Sequence, residues 1–380
     1  MEYIGPIRRE KYMKNEKKRK KLFLVLKILL AMVLTVVLVV AGYFAYVFIS
    51  YHREPDNLEQ TVKGNASLKA ETGREYTIVT MNVGFGAYTP DFTFFMDGGK
   101  NGRAESEESV IACTYGASDT VLGFLPDIVL LQEVDTDSDR SHHVDQTKLI
   151  NERFAEKGNY DSSFAINWDS PYMFLPLIRP HGVARTGLYT LSAFDITSSL
   201  RRSLPVSTGF SKIIDLDRCY SVNRIPVENG KELVIINTHL SAYGTDDAQG
   251  NAQLEMIYAD MKAEYEKGNY VICGGDFNHD FTGNSTEKFN PGVKVDISWC
   301  HPMPTDITPK CLSLCTDYED GGKVPSARNA DIPYSEKSVT VIVDGFIISD
   351  NITCNYLQIE DCGFEYSDHN PVVMRFELKP

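Results

Sequence analysis

The stretch YVICGGDFNHD, Tyr270–Asp280, joins a short apolar run to a crowd of polar residues. Tyr270–Cys273 reads as a buried strand, being apolar and rich in residues that favour sheets. Two glycines follow, then Asp276, Asn278, His279 and Asp280. A strand that ends in this way delivers chemistry to a sheet edge, where open α/β sheets place their sites. Gly274 and Gly275 would let backbone approach a phosphate closely. His279 and Asp280 read as ordinary loop residues.

The same pattern recurs outward from this stretch. Strand-like runs are YTIVTMNV (76–83), DIVLLQEV (127–134), GLYTLSAF (187–194), ELVIINTHL (232–240), VTVIVDGFII (339–348) and PVVMRFEL (371–378). Helices are expected between some of them. In Asp247–Lys267, Leu254, Ile257, Tyr258, Met261 and Tyr265 recur at helical spacing, and Gly268 supplies a stop. Two more are expected near Glu107–Leu125 and Val144–Ala155. Strands mixed with helices predict an α/β layered fold, with central strands covered on both faces.

Polar residues gather at the run ends: Asn82; Gln132 and Glu133; Asn237 and His239; Asp276 and Asn278; Asp344; and Asp368, His369 and Asn370. Four carboxylates (Glu133, Asp276, Asp344 and Asp368) with the amides of Asn82 and Asn278 form a hard oxygen set. Such a set suits Mg²⁺ or Mn²⁺. His239 and His369 can move protons near neutral pH. Together these groups fit metal-assisted hydrolysis of a phosphate ester. Asp344, inside an apolar run, needs a partner if buried, and His369 can supply one.

TMNVG (80–84), LLQEVD (130–135), NTHL (237–240), GGDFN (274–278) and SDHNPV (367–372) resemble the signature blocks of the endonuclease/exonuclease/phosphatase superfamily. They occur in that superfamily's order, and the resemblance covers about 75–380. It implies a four-layer sandwich, two mixed β-sheets flanked by helices. It also implies roles. Glu133 becomes the principal metal ligand, helped by Asn82, with Asp368 close to the ion. His369, paired with Asp344, acts as general base or as a clamp on the scissile phosphate. His239 protonates the leaving group, while Asp276 and Asn278 orient water and bind phosphate oxygens. The block that marks inositol-polyphosphate phosphatases is absent before Asp344, and so is the long aromatic hairpin expected of a sphingomyelinase.

The N-terminus belongs to none of this. Residues 22–49 are apolar apart from Lys27 and a few small or polar residues, long enough to cross a bilayer as one helix. Residues 1–21 form a basic tail of net charge +6. With Lys27, and −14 for the whole chain, this leaves −21 on the remainder. Basic flanks stay cytoplasmic. The expectation is a single-pass plasma-membrane protein with its N-terminus inside, residues 50–74 as a polar linker and 75–380 outside as the catalytic domain. An acidic domain argues against tight binding of long nucleic acid.

Eight cysteines are scattered along the outer part. Cys219 and Cys273 read as buried thiols. Cys300, His301, Cys311 and Cys315 match no standard zinc spacing. Asn167–Arg185 is aromatic, proline-rich and basic, so Arg185 is a candidate substrate-binding residue, with Tyr172 and His181 as weaker ones. The functional expectation is a membrane-tethered, Mg²⁺-dependent enzyme hydrolysing a phosphodiester, either a lipid headgroup or extracellular nucleic acid. A phosphomonoesterase of the same fold and a non-catalytic extracellular binding module remain the alternatives.

Overall fold

The computed structural model describes residues 6–206, 217–242, 247–292 and 300–380; residues 1–5 of the expected tail lie outside them. The chain divides into two units, 1–51 and 52–380. The first is a single helix, α1 (Pro6–Ser50). It holds a window of mean hydropathy 3.0 and is long and apolar enough to cross a membrane.

In the second unit the strands in chain order begin with β1 (Leu58–Gln60), β2 (Val62–Lys63), β3 (Glu75–Asn82) and β4 (Ile128–Asp135). Then come β5 (Asp161–Asp169), β6 (Arg185–Ser192), β7 (Ser198–Ser203), β8 (Cys219–Pro226), β9 (Glu232–His239) and β10 (Tyr270–Asp276). The last six are β11 (Leu312–Leu314), β12 (Ala327–Arg328), β13 (Thr340–Val341), β14 (Asp344–Ser349), β15 (Ile352–Ile359) and β16 (Val372–Leu378). One mixed sheet runs β1-β7-β8-β9-β10-β14-β11, and a second runs β15-β16-β3-β4-β6-β5-β2.

The two sheets face each other through a period-2 alternation of apolar side chains. Ile78, Ile128 and Leu130 enter the core shared with Ile235, Ile272 and Phe346. Their neighbours Val79, Val129 and Leu131 point the other way. There they meet Ala117 and Val121 of α2 (Glu107–Leu122) and Ile150 and Phe154 of α3 (Gln146–Ala155). On the far side of the first sheet, α4 (Asp247–Glu266) buries Leu254, Ile257 and Met261. The result is the expected four layers, helix–sheet–sheet–helix. Each fully buried aliphatic side chain contributes about 1.5–3 kcal/mol.

The expected linker over 50–74 is corrected. β1 pairs with β7 and β2 with β5. Ala70 is fully buried and its N–H bonds Pro226 O at 2.9 Å. The buried Arg201 guanidinium donates to Glu54 O at 3.2 Å and Pro55 O at 3.1 Å. Polar composition concealed this, because the segment serves as edge strands of both sheets.

Candidate active site

Three strand ends of the first sheet lie in one row. Asp276 pairs in register with His239 on one side and with Asp344 on the other. Opposite them stand Asn82, which closes β3, Glu133 in β4, and Asp368 and His369 just ahead of β16. Glu133 sits at a bulge where β4 shifts register against β6, with φ of +54°. A bulge of this kind turns a side chain out of the alternation. A non-glycine residue at positive φ is uncommon and costs about 1 kcal/mol or more. Asn278 is held likewise at φ +49°.

The strand ends are tied together by hydrogen bonds. Asn82 Nδ2 donates to Asp276 Oδ2 at 3.0 Å and to Glu133 Oε1 at 3.3 Å, while its Oδ1 accepts from Gly84 N at 3.0 Å. Asn82 thus bridges two carboxylates as a donor. His369 Nδ1 bonds Asp344 Oδ2 at 2.8 Å, and its Nε2 lies 3.7 Å from Asp276 Oδ2. His239 Nε2 lies 3.5 Å from the same oxygen. Asn278 N donates to Asp276 Oδ1 at 2.9 Å and its Nδ2 to Leu240 O at 2.9 Å. Ser326 Oγ accepts from the Asp344 N–H at 3.1 Å, fixing the start of β14.

The glycines of the opening stretch have a packing role. A Cβ on Gly275, at φ +148°, would lie 2.0 Å from Thr238 O, and one on Gly274 would lie 2.6 Å from the Phe346 ring. The pair admits a neighbouring strand and an inter-sheet ring.

Burial and charge divide the titratable groups. Burial opposes the charge on His369, yet Asp344 and Asp276 hold its pKa well above the ordinary value. Burial, reinforced by Arg218 and His369, drives His239 well below. The two histidines are thus pushed in opposite directions, His369 toward its charged form and His239 toward its neutral one. Burial pushes Asp276 up to about 6, against the pull of His369 and with the push of Asp344. It raises Asp368 to about 7, with the Glu133 charge adding to the rise. Two buried side-chain atoms of this cluster have no hydrogen-bond partner among the described residues, His239 Nδ1 and Asp344 Oδ1.

Two sets of residues could take a cation. Ligand atoms of Asp276, Asp344 and His369 all lie within 4.8 Å of one another. In that set His369 is drawn toward its charged form, and its Nδ1 already bonds Asp344 Oδ2. The Glu133 charge raises Asp368 even with His369 and Arg328 opposing it, so oxygen donors of the kind that hold a divalent ion stand together at this second place.

Arg185 stands apart from these residues. It is half exposed at the rim, 4.0 Å from Asp169. Gln132 and Asn237 turn away into the space between the sheets. His181 is buried, its Nδ1 bonding Gly102 O at 2.8 Å. Cys300 packs with Ala327, Val341 and Val343, whereas Cys315 bonds Met374 Sδ, so these cysteines form no common site. Sequence reading missed Arg140. It is buried, binds Asp135 through two hydrogen bonds of 3.0 and 2.9 Å, and lies 3.9 Å from Glu133 Oε2. Nothing in the acidic loop DTDSDRSHH distinguishes it. Its guanidinium stacks on Phe85 at 4.0 Å, a contact between distant segments.

Comparison with known proteins agrees with this fold. The model of the Endonuclease/Exonuclease/phosphatase family matches residues 111–323, more than half of the chain. That span holds Glu133, His239, Asp276 and Asn278. An endonuclease/exonuclease/phosphatase from Beutenbergia cavernae shares the fold, with a TM-score of 0.53 and 17% identity over 80% of this chain and 72% of that one. A family protein from Leptotrichia buccalis has a TM-score of 0.53 and 13% identity over 80% of this chain and 100% of its own. ANGEL2, described as a 2′,3′-cyclic phosphatase, has a TM-score of 0.52 and 13% identity over 85% of this chain and 99% of its own. No curated protein sequence matches. With the fold of metal-dependent phosphoester hydrolases and the strand-end cluster in place, this chain belongs to the endonuclease/exonuclease/phosphatase family.

Proposed function

We propose that the chain is a membrane-tethered, Mg²⁺-dependent phosphodiesterase whose domain faces the outside of the plasma membrane. The observation that carries this reading is the convergence of Asn82, Glu133, His239, Asp276, Asp344 and His369 on one row of strand ends. When bound, Mg²⁺ or Mn²⁺ would be held by Glu133 and Asp368, polarising a phosphoryl oxygen and offsetting charge. Asn82 orients Glu133. His369, held by Asp344, clamps a second phosphoryl oxygen through Nε2. His239, drawn toward its neutral form, gives the proton on Nδ1, the nitrogen with no partner among the described residues, to the leaving oxygen. Asp276, its carboxylate fixed by Asn278, takes a proton from the attacking water and passes it to His239 Nε2, 3.5 Å away. Arg185 meets the remainder of the substrate at the rim. The apolar α1 and the basic residues before it support the tether and its orientation.

The test uses the full chain in detergent, with bis-p-nitrophenyl phosphate and p-nitrophenyl phosphate as substrates. Mg²⁺-dependent cleavage of the diester, stopped by chelator, is expected. Preference for the monoester would make the protein a phosphatase. No metal-dependent turnover of either would overturn the reading in favour of a binding module.

A further inference from the structure

The segment between β5 and β6 presents an apolar tip to solvent. Leu177 is 79% exposed and Ile178 85%, with Leu175, Phe174 and Tyr172 at 47%, 43% and 37%. Elsewhere among the described residues of this unit, exposed large apolar side chains stand singly or in a pair: Leu68, Met96, Leu125, and Ile332 with Tyr334. A contiguous apolar patch on a rigid support marks an interaction surface.

The support is built. Met173 and Gly182 exchange backbone hydrogen bonds of 3.0 and 2.9 Å, and His181 N bonds Leu175 O at 2.9 Å. Arg103 Nε donates to Pro180 O at 2.8 Å, and Arg179 Nη2 to the carbonyls of Ala104 and Glu105 at 2.8 Å each. These backbone groups are paired at the base, while Leu177 and Ile178 stand out at the tip.

Placement and charge indicate the occupant. The loop leaves β5 at Asp169 and enters β6 at Arg185, and Thr186 pairs with Asp135, two residues past Glu133. It therefore rises from the sheet edge that carries the candidate site. From Ser170 to Arg185 there is no acidic residue, though the chain as a whole is at −14. Aromatic and aliphatic residues without acids suit a lipid interface whose headgroups include anions. The same chain carries α1, and a tether makes docking on a bilayer intramolecular, so a small tip suffices.

We infer that the loop 171–179 inserts into the lipid interface and turns the strand-end site toward the bilayer, making a lipid headgroup phosphoester the substrate class. This rests on the membrane-anchored phosphoesterase reading above.

The test places a reporter at the tip. Full-length Ile178→Trp is reconstituted into vesicles of phosphatidylcholine with a minor share of phosphatidylglycerol, and its emission is compared with that of the parent chain. The added indole should emit to the blue, and brominated-chain phosphatidylcholine should quench the added signal about two-fold or more. Emission at the wavelength of a hydrated indole, untouched by bromolipid, overturns the inference. So does protection of the tip by a second copy, seen as a dimer in detergent that Leu177→Asp with Ile178→Asp dissolves. Hydrolysis of bis-p-nitrophenyl phosphate separates the two claims. Quenching without turnover upholds the docking loop and sinks the enzyme reading. Turnover without quenching does the reverse. In the double Asp variant, turnover of this soluble diester should be unchanged and bromolipid quenching of a Phe174→Trp reporter lost.

Discussion

Two polar clusters lie between the same two sheets, and they differ in how fully they are paired. The first is internal. Gln132 Nε2 donates to Asn237 Oδ1 at 2.8 Å and to Thr80 Oγ1 at 3.1 Å. Asn237 Nδ2 donates to Leu131 O, Tyr189 O and Thr190 Oγ1 at 3.2–3.3 Å. Ser163 Oγ bonds Asn223 Oδ1 at 2.6 Å. Its amides are neutral and bonded. The second, at the strand ends, holds crowded carboxylates, two histidines of opposite tendency and two orphaned atoms. A completed network fixes the register of two sheets. An incomplete one leaves polar atoms open to a ligand, as the proposed function requires.

Substitutions should separate the clusters. The largest effect is expected for Glu133→Gln. Diester turnover should fall about 10³-fold and calorimetric Mg²⁺ binding should vanish, with the unfolding midpoint retained. Asp344→Asn should lower kcat about 10²-fold, because His369 loses its orienting carboxylate. Retained turnover in either would erase the distinction. Asn237→Leu should act in the opposite sense. It leaves a Gln132 donor short of one partner and costs about 1–3 kcal/mol in denaturant unfolding, with kcat of the folded protein within about two-fold of the parent.

The smallest effect lies far from both clusters. Burial raises the Glu264 carboxyl, but hydrogen bonds from Arg224, Lys267 and Asn269 outweigh it and bring it down to about 2. A depressed carboxyl adds stability that is complete above the unfolded value of about 4.5 and is lost as pH falls toward 2. Allowing for solvent screening, Glu264→Gln should cost about 1 kcal/mol at pH 7 and almost nothing at pH 2. A cost independent of pH would contradict the assignment.

How much of this was legible in the sequence depended on burial. Strands buried on both faces, β3, β4, β9 and β10, announced themselves as apolar runs. Edge and bordering strands did not. β7 reads SSLRRS and β15 reads ITCNYLQI, because one face of each meets polar surroundings. β5, DSSFAINWD, was hidden by Ser162 and Ser163, which face polar partners. VTVIVDGFII looked like one strand, yet β13 pairs with β12 and β14 with β10. The break falls just ahead of Asp344, whose carboxylate has to reach His369. At the strand ends, chain order and residue type were enough to expect Asn82, Glu133, His239, Asp276 and His369 at one sheet edge, where the structure brings them together. Arg140 stayed hidden because its position depends on an aromatic ring 55 residues away in sequence. Gln132 and Asn237 carry the same polar signal as Asn82, and only their burial between the sheets distinguishes them.

The most direct test of the central claim, that the incomplete cluster is the catalytic one, is Mg²⁺-supported hydrolysis of bis-p-nitrophenyl phosphate by the full chain and by His369→Ala. A loss of about 10³-fold in kcat at an unchanged unfolding midpoint is predicted. Turnover within a few-fold of the parent would place the chemistry elsewhere in the molecule and contradict the account.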